Sequence, residues 1–400
     1  MAREPIATEQ NAMTVTAAVK ADAPILSLIN TDLSSQFGSE SGDTVSARIP
    51  AFGKVNEGIA LPTNVDDYAL NIKKIPVQVT PKNNPVNYDF VESSLSVGNF
   101  EQNVAIPYGA NLASYIRKEA FDAILGGATR QIVLSSLDAL NFDKMAQAIA
   151  SVQDSNIGGA MGCVLSNRME AALVNKGLNQ FQNGSVAYEL WKGKIKNFDG
   201  TNFVSQSEVA RFKTPNITTA TVAAAVGEGV DRISVNFAAL PAGTIIPAGY
   251  VFKIAGINSV DIFKKDDNYE RAFVVIKDAI VPASGPTSLE ISPIWASNNA
   301  LKNATALPKS GDNLVLVLQS NKTYMTGAVF SKTSTAYASA AIKEAAGVDS
   351  AVSTVEGFVN VRMTAQYDIK LGINIVRFDM LTGAKSLYGQ GITGLWVGID

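Results

Sequence analysis

The side chains best equipped for chemistry in this chain are carboxylates, lysines and serines. Asp66-Asp67 is an adjacent carboxylate pair, the kind of group that in one shared site can divide acid and base roles. Asp266-Asp267-Asn268 resembles a fragment of an acidic cation loop, but the glycine and closing glutamate of an EF-hand are missing. The simpler reading makes it a solvated hairpin tip and makes Asp66-Asp67 surface charge. Cys163 stands in the apolar run Met161-Gly-Cys-Val-Leu165 and reads as a small core residue. Gly389-Gln-Gly391-Ile-Thr-Gly394 matches the glycine spacing of a dinucleotide loop. That chemistry needs a following helix whose N-terminal amides hold a pyrophosphate. Only six residues follow Gly394, so the segment reads as a flexible terminal turn. No P-loop and no G-x-S-x-G nucleophile elbow occurs.

The absences are as informative. None of the 400 residues is histidine and one is cysteine. Histidine is the commonest acid/base group and metal ligand near neutral pH, and cysteine supplies disulfides and thiolate nucleophiles. The composition therefore leans towards a structural role, with no catalytic, cofactor or metal site expected. Charged residues make up 17% and hydrophobic residues 46%. That charge is below the average of about 25% for soluble domains, so much neutral surface is available to face partners. A net charge of -3 and a pI near 5.3 argue against electrostatic capture of nucleic acid. The start Met1-Ala2-Arg3-Glu4-Pro5 lacks the layout of a signal peptide, and no apolar run has the length of a membrane span. The Asn-x-Ser/Thr sequences at Asn183, Asn216, Asn303 and Asn321 are accordingly read as chance.

The elements that must position these residues follow from periodicity. Residues 1–42 form an arm, with helical turns expected near 13–33 and an end in Gly38-Ser-Glu-Ser-Gly-Asp43. Thr44–Pro50 and Ala69–Val79 read as extended runs. The intervening Ala51–Tyr68, about 18 residues where two to five is usual, reads as a reaching loop. The strongest helix is expected over about 105–125, where Leu112, Tyr115, Ile116, Ala120, Phe121 and Ile124 make one stripe. Helices at 142–152 and near 167–174 flank a short strand at 161–165. From about Thr214 alternation at Ile233-Val235-Phe237, Tyr250-Phe252-Ile254, Phe273-Val275 and Leu289-Ile291 predicts an antiparallel barrel or sandwich inserted between α/β halves. A helical stretch is expected at about 335–346, then strands at 358–363 and 369–376, the latter with Ile369, Leu371, Ile373 and Ile375 alternating.

This order of parts resembles the tailed-phage major capsid proteins of the Hong Kong ninety-seven type, and more narrowly the P-twenty-two-type podovirus coat family with its inserted β-barrel. Val251-Phe-Lys-Ile-Ala-Gly-Ile257, Phe273-Val-Val-Ile276 and Leu289-Glu-Ile-Ser-Pro293 resemble barrel strands of that domain. Thr44–Pro50 with Ile72–Thr80 resembles the limbs of the family's extended loop, and Leu371-Gly-Ile-Asn374 its penultimate peripheral strand. The family's long charged loop ahead of the barrel is here cut to Val226-Gly-Glu-Gly-Val230. The resemblance implies an α+β fold divided as follows: arm 1–42, extended loop and limbs 43–80, peripheral domain with spine helix 81–135 and axial domain 136–213. Inserted barrel 214–320, axial return 321–355 and terminal peripheral strands 356–400 complete the series.

The implied function is that of a coat protein polymerising into hexamers and pentamers of an icosahedral shell. Scaffolding protein and portal would be partners, with packaged DNA nearby but not specifically bound and no membrane involved. Assembly would occur in the host cytoplasm and the product would be a virion. Lys54, Glu57, Asp66 and Asp67 would touch an adjacent subunit. Two other classes fit less well: an exported surface-layer or adhesin-type β protein, and a hydrolase using serine, lysine or carboxylates. With no histidine, pH responses must come from carboxylates below about pH 5. Purified assemblies titrated by light scattering should therefore show no sharp transition between pH 6 and 7, and such a midpoint would contradict this reading.

Overall fold

The structure, a computed structural model, describes residues 8–37, 42–49, 73–89, 100–180, 195–238, 240–263, 265–297, 302–355 and 358–399. Along the chain come helix α1 (Thr8–Asp22) and strands β1 (Thr44–Ile49), β2 (Lys73–Gln78) and β3 (Thr80–Asp89). A π-helical turn, Glu101–Ala105, leads into α2 (Ile106–Gly126). Then follow β4 (Arg130–Leu134), α3 (Phe142–Gln153), β5 (Met161–Ser166), α4 (Asn167–Gln180), β6 (Asn197–Phe198), β7 (Thr201–Gln206) and β8 (Arg211–Lys213). A strand-rich stretch holds β9 (Ala220–Val222), β10 (Arg232–Phe237), β11 (Ile245–Ile246), β12 (Val251–Val260), β13 (Asp266–Val275), β14 (Ala279–Ile280), β15 (Thr287–Ser292) and β16 (Leu314–Leu316). The last elements are β17 (Thr323–Ser331), β18 (Thr335–Ser339), β19 (Asp349–Val355), β20 (Val359–Asp368), β21 (Ile373–Ser386) and β22 (Ile392–Gly398). The chain is thus α+β, the class expected from its sequence. It divides into two compact units, residues 1–47, 76–120 and 336–385 in one, and 48–75, 121–335 and 386–400 in the other.

The first unit is organised by β21. Ile373–Met380 pairs antiparallel with Asp368–Val361 of β20, and Ile373–Thr382 pairs with Asp89–Thr80 of β3. β19 extends the sheet beyond β20. Helix α1 lies on β19 and β20, burying Ala12, Val15, Thr16 and Val19 at helical spacing. It also crosses α2 closely: a Cβ at Gly109 would stand 2.8 Å from the Ala18 Cβ and 3.0 Å from the Val15 carbonyl. The Arg117 guanidinium donates to the Asp22 carbonyl at 2.6 Å, satisfying an otherwise open acceptor at the end of α1. Across β20 and β21, Asp379 accepts two bonds from Arg362 at 2.7 and 3.1 Å and one from Arg377.

Three expectations are corrected in this unit. The stretch 335–346 is not helical: β18 occupies Thr335–Ser339 and irregular chain follows. Alanine favours helix locally, but Ala336, Tyr337 and Ala338 are all fully buried, and the Tyr337 amide donates to the Asn30 carbonyl at 2.8 Å. Tertiary pairing overrides propensity. Strand β3 was not expected, because Pro81, Pro85 and three asparagines oppose a strand; among the described residues it pairs with β21 only, the edge setting in which proline is tolerated. The strand expected at 369–376 begins at Ile373, and Ile369–Gly372 is a turn.

In the second unit a seven-stranded mixed sheet runs in the order β4-β22-β17-β5-β7-β6, with β8 also on β17. β22 pairs parallel with β4, and β5 parallel with β7. Helix α3, capped by the Asn141 side chain accepting from the Lys144 amide at 2.9 Å, packs Met145, Ala148, Ile149 and Val152 onto the sheet beside Cys163, Leu165, Leu395 and Val397. Cys163 is a fully buried core residue, as expected, and desolvation raises its thiol pKa well above the ordinary value. The glycine-spaced tail is not a flexible turn. Gly389–Gly391 is one 3-10 turn feeding the wholly buried β22. A Cβ at Gly389 would fall 2.5 Å from the Gly127 carbonyl, and one at Gly394 would fall 2.4 Å from the Trp396 ring. These glycines serve close packing. β18 and β19 belong to the sheet of β20 and β21, whereas β22 joins the seven-stranded sheet.

Between β8 and β17 a six-stranded sheet, β16-β12-β13-β15-β10-β9, curls until its ends meet. Thr221 bridges Asn313, and the Val222 amide donates to the Asp312 carbonyl at 2.9 Å. Its core is a run of rings, with centroids 4.6 Å apart for Tyr250–Phe252, 5.6 Å for Phe252–Phe273 and 5.7 Å for Phe273–Trp295. This is the barrel expected at 214–320. For the first unit, Gly109→Val should overpack the α1–α2 crossing and lower stability by about 1–3 kcal/mol despite valine's better helix propensity. A urea midpoint unchanged from wild type would refute that crossing.

Candidate assembly surfaces and the anchoring of the inserted domain

The most exposed large apolar side chains among the described residues lie at the β20–β21 hairpin tip. Ile369 is 85% exposed and Leu371 68%, with Tyr367, half exposed, beside them. The turn that presents them is stiff. The Asp368 carboxylate accepts from the Lys370 amide at 2.8 Å and the Leu371 amide at 3.2 Å, and the Asp368 carbonyl accepts from the Gly372 amide at 2.8 Å. Gly372 has φ +70°, a left-handed conformation that glycine adopts without strain. The I-x-L-x-I alternation passes straight through this turn, which is why it reads as strand. Its polar partner, Asp368, is a turn-forming residue type and was the available signal.

At the far end of β21 the first unit carries an open cavity of about 330 Å3, lined among others by Phe37, Asp43, Gln78, Pro81, Ala340 and Leu381. Phe37 and Val79 are buried in its floor. Asp43 supplies the charge. Gln78 Nε2 donates to one carboxylate oxygen at 2.8 Å and the Thr44 hydroxyl to the other at 3.0 Å. These bonds, Gln78 foremost, hold the Asp43 pKa below the usual carboxylate value. The arrangement can take an apolar side chain with a cation beside it.

Lys54, Glu57, Asp66 and Asp67, the residues expected to touch a neighbour, lie outside the described residues, as does the whole of the reaching loop Ala51–Tyr68. The shortened segment Val226–Val230 is tied down. The Gly229 amide donates to the Trp295 carbonyl at 2.8 Å, and Glu228 accepts from the Ser297 amide at 2.9 Å. On the barrel's small ribbon, Ile245 pairs with Ile280, and both are exposed, at 52% and 65%. No group of three or more candidate metal-ligating side chains occurs among the described residues, and no described helix is long and apolar enough to cross a membrane.

Asp266-Asp267-Asn268 departs from the solvated tip read from sequence. Along β13 the chain changes role across an irregularity at Asn268, whose φ is +60° and where the register with β12 shifts. Phe273 and Arg271 belong to the barrel, while Asp267 and Tyr269 reach the larger sheet. Asp267 binds Arg130 of β4 at 2.5 Å, with the two side chains 4% and 1% exposed, and Arg130 stacks on Tyr269 at 4.9 Å. The Tyr269 hydroxyl donates to Asp154 at 3.1 Å, the Ala272 amide to the Thr129 carbonyl at 2.8 Å, and the Trp396 indole to the Gly249 carbonyl at 2.9 Å. Arg271 is different. Fully buried, it stacks 3.8 Å over Trp295 and donates to the Pro293 and Ile294 carbonyls. No ion pair to it is found among the described residues, and burial lowers its pKa to about 9. Sequence periodicity marked 273 as core but carried no signal for the buried charges.

No protein-family model and no curated protein matches the sequence. Solved structures do match over most of the chain. One from Mycobacterium phage Ogopogo is 10% identical, covers 92% of this chain and 91% of its own, and has a TM-score of 0.47. The acid-stable capsid of Helicobacter pylori bacteriophage KHP30 is 11% identical, covering 94% and 92% at a TM-score of 0.46. A virus-like particle from Pyrococcus furiosus is 9% identical, covering 96% and 97% at 0.41.

The buried ion pair makes a measurable demand. Arg130→Leu should cost about 3–5 kcal/mol by leaving Asp267 uncompensated, whereas the double change with Asp267→Leu should recover most of it. Urea unfolding followed by tryptophan fluorescence checks this, and a double variant as unstable as the single would disprove the pairing as the anchor.

Proposed function

We propose that this protein is a major capsid protein that assembles into the icosahedral head shell of a tailed phage. The observation that carries the reading is the order of elements along this chain. A helical arm lies on a sheet, β1 and β2 pair with each other, and a helix of 21 residues follows. An α/β sheet, an inserted six-stranded barrel and a long terminal hairpin complete the series. That is the series expected from the coat-protein resemblance of the sequence. The exposed tip and open cavity of the first unit add surfaces suited to self-association. The matched KHP30 structure is a capsid and the Pyrococcus furiosus structure a virus-like particle; the shell role they carry by name enters this reading only as company for the chain's own order.

On this reading the protein is structural and not an enzyme, and it belongs to the virion. The arm 1–42 orders on a neighbour or on a scaffolding protein. Lys54, Glu57, Asp66 and Asp67 lie over an adjacent subunit. Hexamers and pentamers close the shell by many weak contacts repeated by symmetry. Mild net acidity suits a wall that stands near packaged DNA without clamping it. A portal completes the shell, and assembly takes place in the host cytoplasm. The axial return at 321–355 and the terminal peripheral strands at 356–400 are part of the same reading. Negative-stain microscopy of the purified chain should show closed shells or shell fragments. Deleting 52–67 should abolish closed shells while leaving the monomer folded; normal shell yield from that deletion would remove the loop from the assembly contact.

A further inference from the structure

We propose that copies of this chain join head to tail through the β20–β21 hairpin. The Ile369-Lys370-Leu371 tip of one copy seats in the cavity around Phe37, Asp43, Gln78, Pro81 and Leu381 of the next. Ile369 and Leu371 fill apolar space, and Lys370 pairs with Asp43. The inference rests on the self-assembling coat reading and names one of its contacts.

Four observations carry it. The tip presents apolar, cationic and apolar side chains in succession, and the two apolar ones are 85% and 68% exposed. The cavity offers the complement, an apolar floor with a carboxylate at its edge. Its volume of about 330 Å3 falls at the small end of the roughly 300–1,000 Å3 of binding pockets. The turn is held by three hydrogen bonds that Asp368 accepts, so little freedom is lost when it docks. Finally, geometry forbids a copy from using its own cavity. Leu381 lines the cavity and Ile373 begins the tip end of the same strand, and eight residues at about 3.3 Å each separate them by roughly 26 Å. A knob and a socket at opposite ends of one rigid strand make a heterologous contact, the type that generates rings when the rotation closes.

Charge reversal tests it. Lys370→Glu and Asp43→Lys alone should each raise the concentration for half-association, read by sedimentation velocity, at least tenfold. The doubly reversed chain should return to within about threefold of wild type. As a second route that leaves Asp43 intact, I369S/L371S removes the tip, and A341W, at a further residue lining the cavity, fills it. Neither chain should associate through this contact alone, and a mixture should form a one-to-one complex. Unchanged association of the single variants, or failure of both the double reversal and the mixture to recover it, overturns the contact. Wild-type shells alongside unaffected variants sink this contact and leave the coat reading standing; a wild-type chain that stays monomeric at every concentration sinks both.

Discussion

Strand β21 is hydrogen-bonded along both edges, and the first unit depends on that. A residue's side-chain face alternates along a strand, so a slip of one position against β20 would turn Val376, Phe378 and Met380 out of the core. The same slip would be needed against β3, whose ten residues are paired on the other side. Register is therefore set twice. Everything attached to the hairpin inherits that precision, including the Asp379 link to Arg362 and Arg377 and the seat of α1 on β19 and β20. It also sets the separation of the exposed tip from the cavity at Leu381. On the coat-protein reading proposed above, meeting identical copies at repeated positions would call for such a rigid ruler.

The inserted barrel solves a different problem. Its strands are short, and its ends close by one bridge and a few backbone bonds. Stability there comes from the aromatic run through Tyr250, Phe252, Phe273 and Trp295, which buries large area with defined ring geometry. Two buried arginines, one at its border and one inside it, are held in contrasting ways. Arg130 reaches a carboxylate on β13 and so ties barrel to sheet. Arg271 is held by two carbonyls and a stacked indole. Burying a cation without a carboxylate is costly, so Arg271 contributes orientation of the Pro293–Trp295 segment more than net stability.

Much of the fold was legible in the residue order. Helix stripes at Leu112–Ile124 and Met145–Val152 appeared as helices within a residue or two, and the alternating barrel strands fell where periodicity placed them. These elements carry large apolar side chains, whose spacing records which face is buried. The failures share a cause. Thr335–Ser339 sets one tyrosine among small residues and shows no period, and β3 is rich in residues that disfavour strands, so in both the pairing partner decided the conformation. Ile369 and Leu371 misled because an apolar alternation ran through a turn closed by Asp368 and Gly372. As for the candidate surfaces, Lys54, Glu57, Asp66 and Asp67 lie outside the described residues, and neither the tip nor the cavity was identified as a site from the chain alone.

The sequence by itself determined the α+β class, the order of elements, the inserted barrel and a chemistry without histidine or disulfides within the chain, because each follows from local composition and spacing. Only the tertiary structure decided which polar groups are buried and which apolar ones are left in solvent. Asp267 looks like surface charge until Arg130, 137 residues away, arrives to pair with it. Leu371 looks like core until the turn turns it outward. Burial is settled by segments distant in sequence that meet in the fold, and no local pattern carries that information.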